Sequence, residues 1–360
     1  MADFDCAIVG AGIHGLCTAF ALRQRGGLRL IVLEQHEPGH ERGSSHGSTR
    51  ITRSSYDDPA FVAMAQRANT VGWPQLERAL GSTLRVPTPG VFFGPADGPI
   101  AAYRAATAAA GAPVETLGLA AARARFPLLR FHDDDAVLLD HSAAMVLAAD
   151  TMQALRRWLA ANDVVFSWRC AVRALQEMPG AVQLTTDEGP IAARHVVLAC
   201  GPWSRRLHHA DVPTPTVLRQ EVGFADLDAP LELQEAGTFP VWARIGHGAD
   251  DFSYGLPSWR KSGLKFAWHR TTGTGIDPDA APPAIDEAPL LALARARFAR
   301  TVHGLARTER CLYTMAAGHG LHVIHRTGTP VTTIAACSGH AFKFAPLLGE
   351  RAATTVTIDR

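Results

Sequence analysis

The sequence predicts an α/β chain, a doubly wound sheet joined to a second α+β domain built on an antiparallel sheet. Three observations predict it. Residues 5–34, DCAIVGAGIHGLCTAFALRQRGGLRLIVLE, read as strand, glycine turn, helix and strand. An amphipathic helix over 148–161 leads into apolar strands at 164–171, 181–186 and 195–199, as when such a sheet returns on itself. From Leu218 onward the texture changes to short strands separated by turn residues, which is antiparallel patterning.

In chain order, residues 6–9 form a short apolar run suited to a buried parallel strand. Gly10-x-Gly12-x-x-Gly15 follows at once. The first glycine permits a tight turn, the second lets a pyrophosphate approach the backbone, and the third lets the helix close on the strand. Helix-start N–H groups then face the phosphates. Glu34 ends the next strand, where a carboxylate accepts hydrogen bonds from an adenosine ribose. Strand, turn, helix, strand and acid in register predict a Rossmann-like dinucleotide site, without separating FAD from NAD.

A connection rich in glycine, serine and charge runs to Ser48, and Thr49-Arg50-Ile51-Thr52-Arg53 follows. His46, Arg50 and Arg53 would share one face of a helix, where like charges repel. The spacing alone favours a solvated basic turn; the alternative is an anion held nearby. Residues 58–80 read as a helix carrying Phe61, Met64, Ala65, Ala68, Val71 and Gly72 on one side. Residues 87–94 are strand-like, and 100–110 form an alanine-rich helix. Asp133, Asp134 and Asp135 read as a solvated loop, because no further ligands are spaced around them. Met152, Leu155, Trp158 and Leu159 mark the buried face of the helix over 148–161.

In the second half, strands are expected at 222–226, 239–245, 252–256 and 264–269, and a Gly/Pro-rich loop at 273–289. Residues 290–302 read as a basic surface helix packing Leu291, Ala294 and Phe298. His319, His322 and His325 recur at intervals of three, which fits neither one strand face nor an i, i+4 helix pair, so no zinc site is expected. A strand at 331–336 precedes a glycine turn at Gly339 that opens a helix ending near Ala353.

Composition narrows the function. The chain has 360 residues, 47% of them hydrophobic, enough for two domains and a sizeable core. Thirty-five basic residues against 34 acids argue against nucleic acid or an anionic membrane as partner. The cysteines form no CxxC pair, as expected of reduced thiols in a reducing compartment. The first residues lack a basic n-region and no apolar run approaches ~18 residues, so a soluble cytoplasmic protein is expected.

Six blocks together resemble one family, that of the monomeric sarcosine, N-methyltryptophan and pipecolate oxidases. They are the Gly10–Gly15 fingerprint, GSSHGSTRITR at 43–53, YGLP at 254–257, GLKFAWH at 263–269, CLYT at 311–314 and SGHAFK at 338–343. The resemblance implies FAD, bound covalently through Cys311, which on its own reads as an ordinary buried thiol. It implies flavin contacts from Gly10, Gly12, Gly15 and Glu34, then from Ser44, His46, Thr49, Val172 and Gly201, and at the end of the chain from Gly339, His340 and Phe342. It places a substrate carboxylate on Arg53 and Lys343, with Arg50 close to the flavin. Tyr254 and His269 would orient the substrate. Lys265, unaided a solvated strand-edge lysine, would activate oxygen near flavin N5.

The resemblance also implies two domains, an FAD-binding domain of 1–86, 141–215 and 308–360 and a substrate domain of 87–140 and 216–307, whose antiparallel sheet covers the flavin. The expected reaction is oxidation of a secondary amino acid such as sarcosine, with O2 reduced to hydrogen peroxide, by a monomer or weak oligomer. Ser45, Ser48, Ala341 and His325 depart from the family pattern. They keep a cyclic imino acid (pipecolate or proline) open as substrate. A flavin dehydrogenase using a carrier is the alternative activity, against which Lys265 argues.

Overall fold

The computed structural model describes residues 2–207, 214–248, 251–316, 320–325, 328–335 and 338–357. The chain opens with β1 (Phe4–Val9), α1 (Ile13–Gln24), β2 (Leu30–Glu34) and β3 (Thr49–Thr52). Next come α2 (Pro59–Arg67), a π-helical turn (Ala68–Gly72), α3 (Trp73–Leu80), β4 (Arg85–Pro87), β5 (Gly90–Pro95), α4 (Ile100–Ala109), β6 (Val114–Leu117) and α5 (Leu119–Arg125). The middle holds β7 (Asp135–Asp140), β8 (Ala144–Leu147), α6 (Ala148–Ala161), β9 (Val165–Trp168), β10 (Val172–Met178), β11 (Ala181–Thr186) and β12 (Gly189–Leu198). The remainder is β13 (Thr216–Leu227), β14 (Val241–Ile245), β15 (Phe252–Leu256), β16 (Leu264–Trp268), α7 (Glu287–Arg297), β17 (Val302–Met315), β18 (His322–His325), β19 (Val331–Ala335) and α8 (Ala345–Thr355).

The first sheet runs β10-β11-β12-β1-β2-β9, with β19 parallel to the end of β12 and β18 on β19. Its centre is parallel, and period-two alternation divides its side chains between two cores. Cys6, Ile8, Leu30 and Val32 face α1, α6 and α8. Ala7, Val9, Ile31 and Leu33 face the opposite way, toward Val182, Leu184 and Leu207. A Cβ on Gly349 would stand 2.5 Å from the Cys17 carbonyl carbon, so only glycine lets α8 lie this close to α1.

The second sheet runs β17-β13-β16-β15-β14-β5-β7-β6 and is antiparallel except where β14 lies parallel to β5. Phe93, Trp242, Phe266 and Phe298 fill the core under α7. A small sheet, β3-β8-β4, completes the architecture. The two-domain division stands as a proposal; position 308 falls inside β17, which pairs with β13 along its length.

Several local expectations change. His46, Arg50 and Arg53 do not share a helix face, since Arg50 lies in β3 and Arg53 just beyond it; the β-branched Thr49, Ile51 and Thr52 suit a strand. Lys265 is not at a sheet edge: β16 lies between β13 and β15, and the residue is 5% exposed. Asp135 leaves the solvated loop and is buried, its carboxylate accepting from His132 N–H and lying near Arg244. The strand expected over 164–171 stops at Trp168, and β10 was not anticipated. The helix expected to reach 302 ends at Arg297. His319 lies outside the described residues.

A buried pair within the first sheet carries a pH prediction. His195 is 2% exposed, its Nε2 is 2.9 Å from Thr332 Oγ1, and its ring stacks on His325 at 5.7 Å. Burial, and then His325, lowers its pKa to about 4. The unfolded chain takes up this proton near pH 6.5, so stability is complete above that value and falls as pH drops toward the folded value. His195 alone should cost up to about 3 kcal/mol over that window. Urea midpoints at pH 7.5 and 4.5 should separate widely in the wild type and less in His195→Gln.

Candidate active site

The cavity begins beyond the C-terminal ends of β1 and β2, where parallel sheets place their ligands. Gly10 has φ +108°, and a Cβ there would stand 2.4 Å from Ala199 O. A Cβ on Gly15 would meet Gly10 O at 1.9 Å. The helix start borrows its cap: Gly12 has no side chain to offer, and Ser45 Oγ accepts from Ile13 N–H at 3.1 Å. Glu34 accepts from Ala11 N–H at 2.9 Å and from His36 N–H at 3.0 Å. Burial alone would raise the Glu34 pKa, but these bonds and His40 outweigh it and hold it below the usual carboxylate range.

A charged group lies farther in. Arg50 is wound back on its own loop, donating to Ser44 O at 3.0 Å and Thr49 O at 2.8 Å. Lys265 Nζ donates to the same Thr49 carbonyl at 3.2 Å. A Cβ on Gly47 would stand 3.3 Å from Glu309 Oε2, 3.4 Å from Arg50 Nη1 and 3.9 Å from Lys265 Nζ, so three charged groups meet over one bare glycine. Burial, then Arg50, lowers the Lys265 pKa to about 7, with Glu309 opposing. Burial and Arg50 likewise take His46 to about 4, leaving a neutral imidazole. Cys311 stands on β17 opposite Gln220, and Ser44 Oγ donates to the neighbouring Leu312 O.

The far end is aromatic. Arg53 is 8% exposed, its guanidinium 4.0 Å from the Tyr56 ring centroid, 5.1 Å from Phe92 and 5.8 Å from Tyr103. Its Nη1 is buried without a hydrogen-bond partner among the described residues. The turn after it is held by buried Asp140, whose Oδ2 accepts from Ser54 N–H (2.7 Å) and Ser55 N–H (2.9 Å). Lys343, 6% exposed, donates to His340 O at 2.8 Å, while Trp73 Nε1 holds the Lys343 carbonyl at 2.8 Å. The π-turn before Trp73 brings that indole there, a use of local over-winding often found beside functional sites. Gly339 (φ +73°) is equally constrained: a Cβ would strike Tyr313 at 2.4 Å and His269 at 2.6 Å. His269 Nδ1 lies 3.3 Å from Tyr313 Oη, and Tyr254 packs edge-on to the His269 ring.

All the site residues expected from the sequence line this one cavity except Gly15, which packs α1 on the glycine turn. Val172 at the start of β10 and Gly201 at the head of the 3-10 helix Gly201–Leu207 also line it, as do His340 and Phe342. Sequence reasoning missed Tyr56, Phe92, Tyr103, Arg307 and Glu309, which line it too. One signal was available: the chain has three lysines, and two of them, Lys265 and Lys343, are buried here. A chain that otherwise uses arginine keeps lysine where a compact, titratable cation is wanted.

A glycine turn, a strand-end acid and unpartnered polar atoms at His46 Nε2 and Ser48 Oγ fit a bound dinucleotide, and the cavity continues from them to two buried cations. Fold and site thus define a dinucleotide-dependent protein with room for an anionic second ligand. The chain belongs to the FAD dependent oxidoreductase family (DAO), which it matches over residues 5–355, and it is an FAD-dependent oxidoreductase. It is similar to peroxisomal sarcosine oxidase of Mus musculus (29% identical, 97% of this chain and 91% of the relative). Monomeric sarcosine oxidase of Bacillus sp. (strain NS-129) is 27% identical over 99% and 94%. N-methyl-L-tryptophan oxidase of Citrobacter koseri is 27% identical over 97% and 94%. In fold it is similar to NikD, an unusual amino acid oxidase essential for nikkomycin biosynthesis, with TM-score 0.86, 23% identity and coverage of 99% and 94%. No helix among the described residues is long and apolar enough to cross a membrane.

Proposed function

We propose that the protein is an oxidase of carboxylate-bearing secondary amines, N-methyl or cyclic amino acids, that uses O2 as acceptor. The observation that carries the reading is Arg53, a buried cation with an unpartnered Nη1, facing the same cavity as Lys343. A desolvated guanidinium without a counter-charge is costly, and a substrate carboxylate supplies what is missing. Tyr56, Phe92 and Tyr103 around it exclude water and strengthen the pairing. FAD bound here supplies the acceptor for the hydride lost from the amine's α-carbon. Tyr254 and His269 orient the amine, which must be neutral to lose it. The Lys265 cation stabilises negative charge as oxygen is reduced. Arg50, anchored on backbone carbonyls, adds fixed positive charge next to Thr49 and His46.

Cys311 lines the cavity beside the charged group, and its place in the CLYT block supports covalent attachment of the flavin. Denatured protein should therefore stay yellow, with its mass raised by one FAD, and Cys311→Ala should release the colour on denaturation. A Cys311→Ala protein that keeps flavin when denatured contradicts the linkage. The function itself is tested by oxygen consumption and peroxide release with sarcosine, other N-methyl amino acids, proline and pipecolate. Reduction of the flavin by these substrates without peroxide under air favours a dehydrogenase.

A further inference from the structure

Glu309 is the acid that faces Lys265, Arg50 and Gly47 within this cavity. Strand β17 alternates its side chains, so Arg307, Glu309, Cys311 and Tyr313 share a face, and all four line the cavity. On the neighbouring β13, Phe224 lies opposite both Lys265 and Arg307; the Arg307 guanidinium sits 3.6 Å from its ring centroid and Lys265 Nζ 5.7 Å. Arg307 pairs with one Glu309 oxygen, and the other lies over the bare face of Gly47 beside Arg50 and Lys265. Three cations, Arg50, Lys265 and Arg307, thus surround one carboxylate. Of the three only lysine readily gives up its proton.

We propose that Glu309 is a positioning residue that keeps the buried Lys265 ammonium charged and aimed at the cavity, and that Gly47 leaves the space across which the two face each other. The proposal rests on the reading of Lys265 as the group that assists oxygen reduction, and its main test does not depend on that reading. The charged and titratable groups facing Lys265 are Arg50 from β3, His46 from the preceding loop, and Arg307, Glu309 and Cys311 from β17, with Thr49 O accepting its hydrogen bond. Burial and the two arginines act against the ammonium, His46 is held neutral, and Glu309 is the carboxylate among them. An opposite charge within ~4–6 Å shifts a titration by about one to three pH units.

With three lysines in the chain, holoenzyme labelled at lysine Cε and Nζ gives three side-chain signals, and Lys265→Met identifies one of them. That signal should titrate about one pH unit or more lower in Glu309→Gln than in the wild type, with Glu309→Asp between them. The alkaline limb of flavin reoxidation should move down by the same interval. Should Glu309→Gln fail to fold, Glu309→Asp carries the test alone, since its shorter side chain also moves the titration down. A Lys265 signal that titrates at one pH in all folded forms overturns the proposal. Wild-type reoxidation in Lys265→Met would remove the oxygen reading while leaving the Glu309 result to stand or fall on the titration.

Discussion

Replacing Arg53 by methionine should weaken substrate binding by roughly 30-fold or more while leaving the fold at least as stable. The two halves of this result have one cause. Arg53 is buried against Tyr56, Phe92 and Tyr103 with Nη1 unpartnered, so the aromatic faces offset only part of the cost of desolvating this cation. A substrate carboxylate would complete the pair, and truncating one partner of a buried charge pair costs about 2–5 kcal/mol in binding. In the ligand-free protein the same substitution removes a buried charge that no carboxylate pairs among the described residues and puts an apolar chain among aromatic rings, so the melting temperature should not fall. A residue that merely braced the fold would behave in the opposite way. Rapid-reaction measurement of substrate binding, with thermal melts of both proteins, checks the two halves together.

Lys265→Met should slow flavin reoxidation by oxygen about a hundredfold, the usual cost of removing a preorganised charge from a developing anion. Reduction by substrate should slow much less. The residue is 5% exposed and its pKa is lowered to about 7, so the cation is held at the margin of ionisation. Oxygen reactivity of the wild type should therefore fall as pH rises past the point where Lys265 loses its proton, and the variant should be flat there. Stopped-flow records of the two half-reactions across pH test this, and equal slowing of both counts against the role.

Much of the site was legible in the sequence because its signals are local. The Gly10–Gly15 turn and Glu34 stand in one βαβ unit, where spacing alone implies geometry. Arg50 and Arg53 were visible as a basic cluster, but their conformation was not: the i, i+4, i+7 spacing suggests a helix, while pairing with β8 makes the segment a strand. Lys265 reads as an edge residue until β13 and β15 flank it, a fact of strand order that no local window contains. The aromatic box around Arg53 comes from α4, β5 and the turn after β3, and Asp140 reaches that turn from β7. Glu309 was hidden because it precedes the CLYT block, and its alternation with Arg307 and Cys311 has meaning only within the full strand Val302–Met315.

The claim on which the rest depends is that a carboxylate-bearing secondary amine reduces the flavin because Arg53 and Lys343 hold its carboxylate. The most direct test is an anaerobic titration followed by flavin absorbance, comparing sarcosine and pipecolate with dimethylamine and piperidine, their decarboxylated counterparts. The amino acids should bleach the flavin, one of them rapidly, with a rate that rises toward alkaline pH as the neutral amine becomes available. The decarboxylated amines should leave it oxidised on the same timescale. Bleaching by piperidine or dimethylamine as fast as by the parent amino acid would contradict the account.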